Sequence, residues 1–303
     1  MKMRYLFAIL LLLACPGPAP AQEDATLEAQ LGALAAAYQG KVTLYATDLR
    51  SGRTVTIDAD TPVPTASVIK LTVLFEALKQ IEEHRVRFDD KLTLRSADRV
   101  PGSGMLSLFD TPLTLTLKDA LTMMIVVSDN TATNLVIDRL GLASIDRRIA
   151  WMGLRNTWLY KKVFEPPTGQ VPADQPQFGL GKTTAREMAE VMERFATCNL
   201  DAPNASPASS WSDRVLCDAA LSMLKAQTDR AGIPRYLDPG IAVANKTGAL
   251  DDVRNDVGIV YARNGPIVIS VFTHDNRDQS WTPDNAAQVL IARLAKAIVE
   301  RWN

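Results

Sequence analysis

The chain has 303 residues, 47% of them hydrophobic, and a formal net charge of −1. That length and apolar content suffice for one large domain or two intertwined ones. The absence of any basic block excludes a nucleic-acid partner from the expectations. With only His84 and His274, and no His/Cys spacing pattern, no metal site and no cofactor is expected.

The first segment reads as a targeting leader. Lys2 and Arg4 precede a short apolar run, Leu6 to Ala14, too short to span a bilayer. Ala19-Pro20-Ala21 gives a cleavage site before Gln22, so residues 1–21 are expected to be removed. Leu12-Leu13-Ala14-Cys15 offers the alternative of a lipid-modified Cys15. Either way the protein is exported, periplasmic or secreted, and losing the two positive charges of Lys2 and Arg4 takes the net charge from −1 to −3. No further transmembrane run follows. Of the three cysteines, Cys198 and Cys217 remain in the mature chain. In an exported protein that pair suggests a disulfide, worth about 3 kcal/mol; two buried free thiols are the alternative.

Residues 24–38 have the pattern of a helix. Lys41–Asp48 and Arg53–Asp58 alternate as two strands joined by Leu49-Arg50-Ser51-Gly52, a hairpin signal. A loop then turns into Val68 to Leu78, apolar nearly all round, as in a buried core helix. Ser67 and Lys70 are its anomaly. Three residues apart, they share one face. Burial disfavours the ammonium, and a neutral amine can take a proton from a neighbouring hydroxyl. A serine at a helix start also has free N–H groups and the dipole beside it, half of an oxyanion hole. A capping serine and a snorkelling lysine would give the same four letters.

Residues 85–120 read mostly as loop, with a turn at Pro101-Gly102-Ser103-Gly104. Leu117–Val127 is an apolar helix that stops at Ser128-Asp129-Asn130. A new helix runs from Thr131 to Leu140, with Gly141 as its stop. The three polar residues fit a helix cap as well as a site. Ser144–Gly153 is another helix. Residues 161–182, with four prolines and no periodicity, form a long loop of the kind that tends to be functional; it carries Glu165 and Asp174. Gly179 to Thr184 is not a phosphate-binding loop, because Pro176 stands where its first glycine belongs and no strand precedes it. Thr184-Ala185-Arg186-Glu187 reads instead as a capping box for a helix to about Ala196. Ser212–Ala226 is helical. Ile241–Asn245 is a strand leading into Lys246-Thr247-Gly248. Asp256–Arg263 and Pro266–Thr273 are strands joined at Asn264-Gly265. Thr282-Pro283-Asp284 opens a last helix to about Arg301. Strands at both ends with helices between predict an α/β (α+β) fold. Its antiparallel sheet is flanked by the terminal helices and contributed by 22–61 and 236–303, with an all-helical lobe, 62–235, inserted.

Ser-x-x-Lys opening a buried helix, Ser-Asp-Asn between helices and Lys-Thr-Gly on a late strand occur in that order. With Arg254-Asn255-Asp256 after the last of them, the chain resembles the class A β-lactamases, within the penicillin-recognising serine hydrolases, over nearly its whole mature length. The resemblance implies an acyl-enzyme mechanism without metal, on a β-lactam or a D-alanyl-D-alanine-like peptide, in a monomer, with antibiotic resistance as its outcome. It makes Ser67 the nucleophile, Lys70 the proton acceptor or relay, and Ser128 the donor to the leaving nitrogen. Asn130 would hold Lys70 and substrate; Lys246, Thr247 and Arg254 would bind the substrate carboxylate; the N–H groups of Ser67 and Ala249 would form the oxyanion hole. Glu165 is the natural deacylating base, but Gly169 stands four residues later where the family carries asparagine. A penicillin-binding peptidase with slow deacylation and a non-hydrolytic relative are therefore the alternatives.

Overall fold

Strands from the two ends of the chain meet in one sheet. The computed structural model describes residues 25–201 and 211–303; the expected leader, with Cys15 and the expected cleavage before Gln22, lies outside them. After helix α1 (Ala25–Ala36) come strands β1 (Lys41–Asp48), β2 (Thr54–Ile57) and β3 (Val63–Pro64). Helix α2 (Lys70–Glu82), strands β4 (Lys91–Leu94) and β5 (Leu113–Thr116), and helices α3 (Leu117–Val126), α4 (Asn130–Leu140) and α5 (Leu142–Trp151) follow. Strand β6 (Trp158–Leu159), the short α6 (Gln175–Phe178), strand β7 (Gly181–Thr183) and helices α7 (Ala185–Thr197) and α8 (Trp211–Lys225) lead to the late strands. These are β8 (Val243–Leu250), β9 (Val253–Ala262) and β10 (Gly265–His274), before the final α9 (Ala286–Trp302).

The main sheet has the order β2-β1-β10-β9-β8 and every pair is antiparallel. Its centre is buried on both faces, and the period of two decides which core each side chain joins. On β10, Ile267, Ile269 and Val271 pack with Leu27 and Leu31 of α1 and Leu294 and Ile298 of α9. Val268 and Phe272 point the other way, into the core built on α2, α3 and α7. The apolar all-round character of α2 follows from its place at the centre of that second core, where Leu71, Leu74, Phe75 and Leu78 are fully buried.

The inserted segment is mainly helical but also holds the β4–β5 hairpin and a β3-β7-β6 sheet. Strands of two to four residues are too short to show alternation, which is why residues 85–120 read as loop. The expected capping box at Thr184 forms only by half. Thr184 Oγ1 accepts from Glu187 N, but the Glu187 carboxylate turns to Asn156 N at 2.9 Å and to the Thr157 hydroxyl at 2.5 Å. The last helix starts later than Thr282-Pro283 predicts, because Asn285 Oδ1 accepts from Ala287 N and caps it. A disulfide joins Cys198, just after α7, to Cys217 on α8. Among the described residues no helix is long and apolar enough to cross a membrane.

Candidate active site

Ser67 lies in a 3₁₀ turn, Ala66–Ile69, that runs directly into α2, rather than in the first turn of the α-helix itself. Ala66 enters this turn in the left-handed region, at φ 44°. Two contacts hold the turn against the sheet. Asn255 Nδ2 donates to the carbonyls of Pro64 and Thr65 at 2.9 and 3.2 Å. Gly248 of β8 passes so close that a Cβ there would stand 2.8 Å from Thr65 O and 3.0 Å from Ser67 N. The glycine of Lys-Thr-Gly is thus needed for backbone approach to the serine turn.

Lys70 is fully buried. Its Nζ donates to Ser128 O at 2.7 Å, Asn130 Oδ1 at 3.0 Å and Ser128 Oγ at 3.2 Å. Burial, reinforced by the positive charge of Lys246, pushes its pKa well below the usual lysine range; Asp129 opposes this. Ser128 has a left-handed backbone, φ 57°. Its hydroxyl also accepts from Lys246 Nζ at 3.0 Å, so two lysines converge on one oxygen. Lys246 is equally buried and makes a second bond to Thr247 O at 2.7 Å. Burial brings its pKa down to about 8, against the pull of Asp229 and Asp256.

The three residues 128–130 divide the labour. Asp129 is the cap of α4, through Ala132 N at 2.8 Å, and its other oxygen accepts from Met105 N and Leu106 N at 2.6 and 2.8 Å. Ser128 and Asn130 face the lysines. Asn130 also bonds Ser103 O and Pro101 O, which draws the 101–106 loop to the site. Gly104, at φ 109°, leaves Asp129 its place, since a Cβ would come within 2.4 Å of it. Replacing Asp129 with alanine strands three N–H groups, two of them buried, and the expected loss is about 3 kcal/mol of unfolding free energy in urea titrations.

Ser67, Ser128, Thr247, Ala249 and Arg254 line one open cavity of about 320 Å³. Ala249 and Arg254 are cross-strand partners on β8 and β9. The Arg254 guanidinium is held by backbone carbonyls of Val253 and Ser280, each at 2.8 Å, and lies 4.4 Å from the Trp281 ring centroid.

Glu165 makes no hydrogen bond or ion pair with Ser67, Lys70, Ser128 or Lys246. Its Oε1 pairs with Lys162 Nζ at 3.1 Å and meets Asn134 Nδ2 at 3.5 Å, and it lines a separate cleft with Asp138 and Gly141. Lys162 also bonds Asp138, so one ammonium bridges two carboxylates. Gly169 is exposed at φ 78° with open space where a side chain would stand. Asp174 closes the neck of the loop, bonding Tyr160 Oη at 2.8 Å and Lys182 Nζ at 2.6 Å.

The model of the β-lactamase enzyme family matches residues 26–302. The chain belongs to that family. It is 27% identical over 274 residues to beta-lactamase 3 of Bacillus cereus, covering 87% of this chain and 77% of that one. It resembles the crystal structure of the beta-lactamase from Sphaerobacter thermophilus with a TM-score of 0.78 at 28% identity, over 92% of this chain and 97% of that one. It resembles PBP-A about as well, with a TM-score of 0.77 at 25% identity, over 93% and 98%.

Within this β-lactamase-family fold, one positioning residue escaped the sequence reading. Asn134 accepts from Val163 N at 2.8 Å and donates to Val163 O at 3.0 Å, pinning the long loop beside Glu165. Its place one helical turn beyond Asn130, on the same face of α4, was the available signal.

Proposed function

We propose that the chain is a serine hydrolase that opens β-lactams by acylation of Ser67 and then hydrolyses the acyl-enzyme. The observation that carries the proposal is the Ser128 hydroxyl accepting from both Lys70 and Lys246 at the edge of the cavity that holds Ser67. Once Lys70 has become an ammonium, both lone pairs of that oxygen are engaged and the hydroxyl's own proton is free to be given away. Ser67 Oγ attacks the lactam carbonyl carbon while neutral Lys70 takes its proton. The carbonyl oxygen becomes anionic against the N–H groups of Ser67 and Ala249. The C–N bond breaks and the ring nitrogen takes the Ser128 proton, which the lysines replace. Lys246, Thr247 and Arg254 hold the substrate carboxylate, concentrating positive charge where an anion docks. The disulfide supports export to an oxidising compartment.

The position of Glu165 favours a second reading, a penicillin-binding enzyme of the D-alanyl-D-alanine peptidase type that acylates and deacylates slowly. Intact-mass spectrometry with excess benzylpenicillin, sampled from seconds to hours, separates the two. A transient adduct on the Ser67 peptide, with the drug consumed, is expected. A lasting adduct assigns the second reading, and no adduct with no consumption sinks both.

A further inference from the structure

The Ser67 cavity also carries a group of the wrong sign for a site that only holds a carboxylate. Asp229 lines it beside Thr247 and Arg254. Its charge is felt by Lys246, Arg254 and Asp256 together, so it stands among the cations that would grip the substrate carboxylate. One oxygen accepts from Ala231 N at 3.1 Å. Gln288 lines the same cavity, and its Oε1 is buried with no donor. Trp281 completes the wall, 66% exposed although Arg254 lies over its ring. A carboxylate, an unpartnered amide oxygen and an exposed indole form a set that takes a cation: two are acceptors and the third offers a π face. The function proposed above needs none of them.

We propose that Asp229, Trp281 and Gln288 form a subsite for a cationic substituent attached next to the substrate carboxylate. The inference rests on the β-lactam-acylation reading. In a cephalosporin the substituent at C3 is the neighbour of the C4 carboxylate. With that carboxylate on Lys246, Thr247 and Arg254, a C3 pyridinium or ammonium reaches Asp229 and the indole. The favoured class is therefore the zwitterionic cephalosporins. Substrates with a second anion at this position are disfavoured by the same charge.

Cephaloridine and cephalothin share one acyl side chain and differ at C3, pyridinium against acetoxymethyl, so their ratio of second-order acylation rate constants isolates the subsite. The wild-type protein is expected to prefer cephaloridine, and Asp229→Asn, which keeps an oxygen for Ala231 N, lowers the ratio about fivefold. Taking the ratio cancels any general effect of the substitution on carboxylate binding. The wild-type ratio should also fall at least about twofold between roughly 20 mM and 0.5 M salt, a measurement that stands if the variant fails to fold. A ratio unmoved by salt, or unmoved by the substitution in a folded variant, overturns the subsite alone. Failure of both cephalosporins to acylate Ser67 overturns the functional reading and the subsite with it.

Discussion

Lys70→Ala is expected to lower the rate constant for acylation by benzylpenicillin about a thousandfold, within the usual range for removing a general base, and Ser67→Ala is expected to leave no adduct at all. The geometry gives Lys70 an exclusive position. Its amine sits among a carbonyl, a hydroxyl and an amide oxygen, with no solvent exposure and no carboxylate among its hydrogen-bond partners. An ammonium there has lost its hydration and faces a second buried cation. The neutral amine avoids both costs. The arrangement is self-consistent: a charged Lys246 keeps Lys70 neutral, and a neutral Lys70 exerts no field on Lys246. Lys70→Arg does not rescue, because a guanidinium stays protonated. A purely electrostatic role for Lys70 would predict the opposite, with arginine restoring most of the rate.

The same pair sets the pH profile. In the proposed mechanism acylation needs Lys70 deprotonated, so its rate is expected to rise as pH climbs through that lowered pKa. It also needs Lys246 protonated to hold an anionic substrate. With Lys246 brought down to about 8, the rate constant falls again as pH rises through that region. A bell with its alkaline limb near pH 8, in single-turnover measurements, is the expected result. An alkaline limb that survives Lys246→Met would remove Lys246 from this role.

The parts legible in the sequence are those where a short motif carries its own geometry. Ser67 and Lys70 are near in space because they are three residues apart on a helical path. Lys246-Thr247-Gly248 reads as a strand, and Gly248 meets the serine turn because only a glycine allows that approach. Ser128-Asp129-Asn130 fits both readings given to it: Asp129 is the cap and its neighbours face the lysines. What stayed hidden depends on contacts far apart in the chain. Asn134 and Val163 are 29 residues apart, and nothing local in either marks the bond. Asp129 binding the 105–106 backbone, and Asp229 standing beside Arg254, are likewise products of the tertiary fold. The Glu187 carboxylate left its expected cap because Thr157 and Asn156, 30 and 31 residues away, offered three bonds where the cap offered one.

Glu165→Gln is expected to trap the acyl-enzyme, slowing deacylation about a hundredfold while acylation changes little, and Lys162→Ala is expected to act in the opposite direction. Hydrolysis of an ester at Ser67 needs a base for the attacking water, and of the two carboxylates on the long loop Glu165 is the candidate, since Asp174 is tied to Tyr160 and Lys182. It stands beside Asn134, a turn along α4 from Asn130, but in a partly exposed ion pair with Lys162. Such a pair is worth no more than about 1 kcal/mol, a small barrier to turning the carboxylate inward once a substrate is bound. The preceding Phe164 holds a left-handed backbone, φ 59°, which is uncommon for an aromatic residue. If Lys162 holds Glu165 outward, removing Lys162 speeds deacylation several-fold, and the double variant behaves like Glu165→Gln alone. Deacylation that is slow in the wild-type protein and indifferent to both substitutions would remove Glu165 as the base. The enzyme would then be one that β-lactams inhibit, its acyl-serine protected by the same pair that keeps Glu165 at the surface.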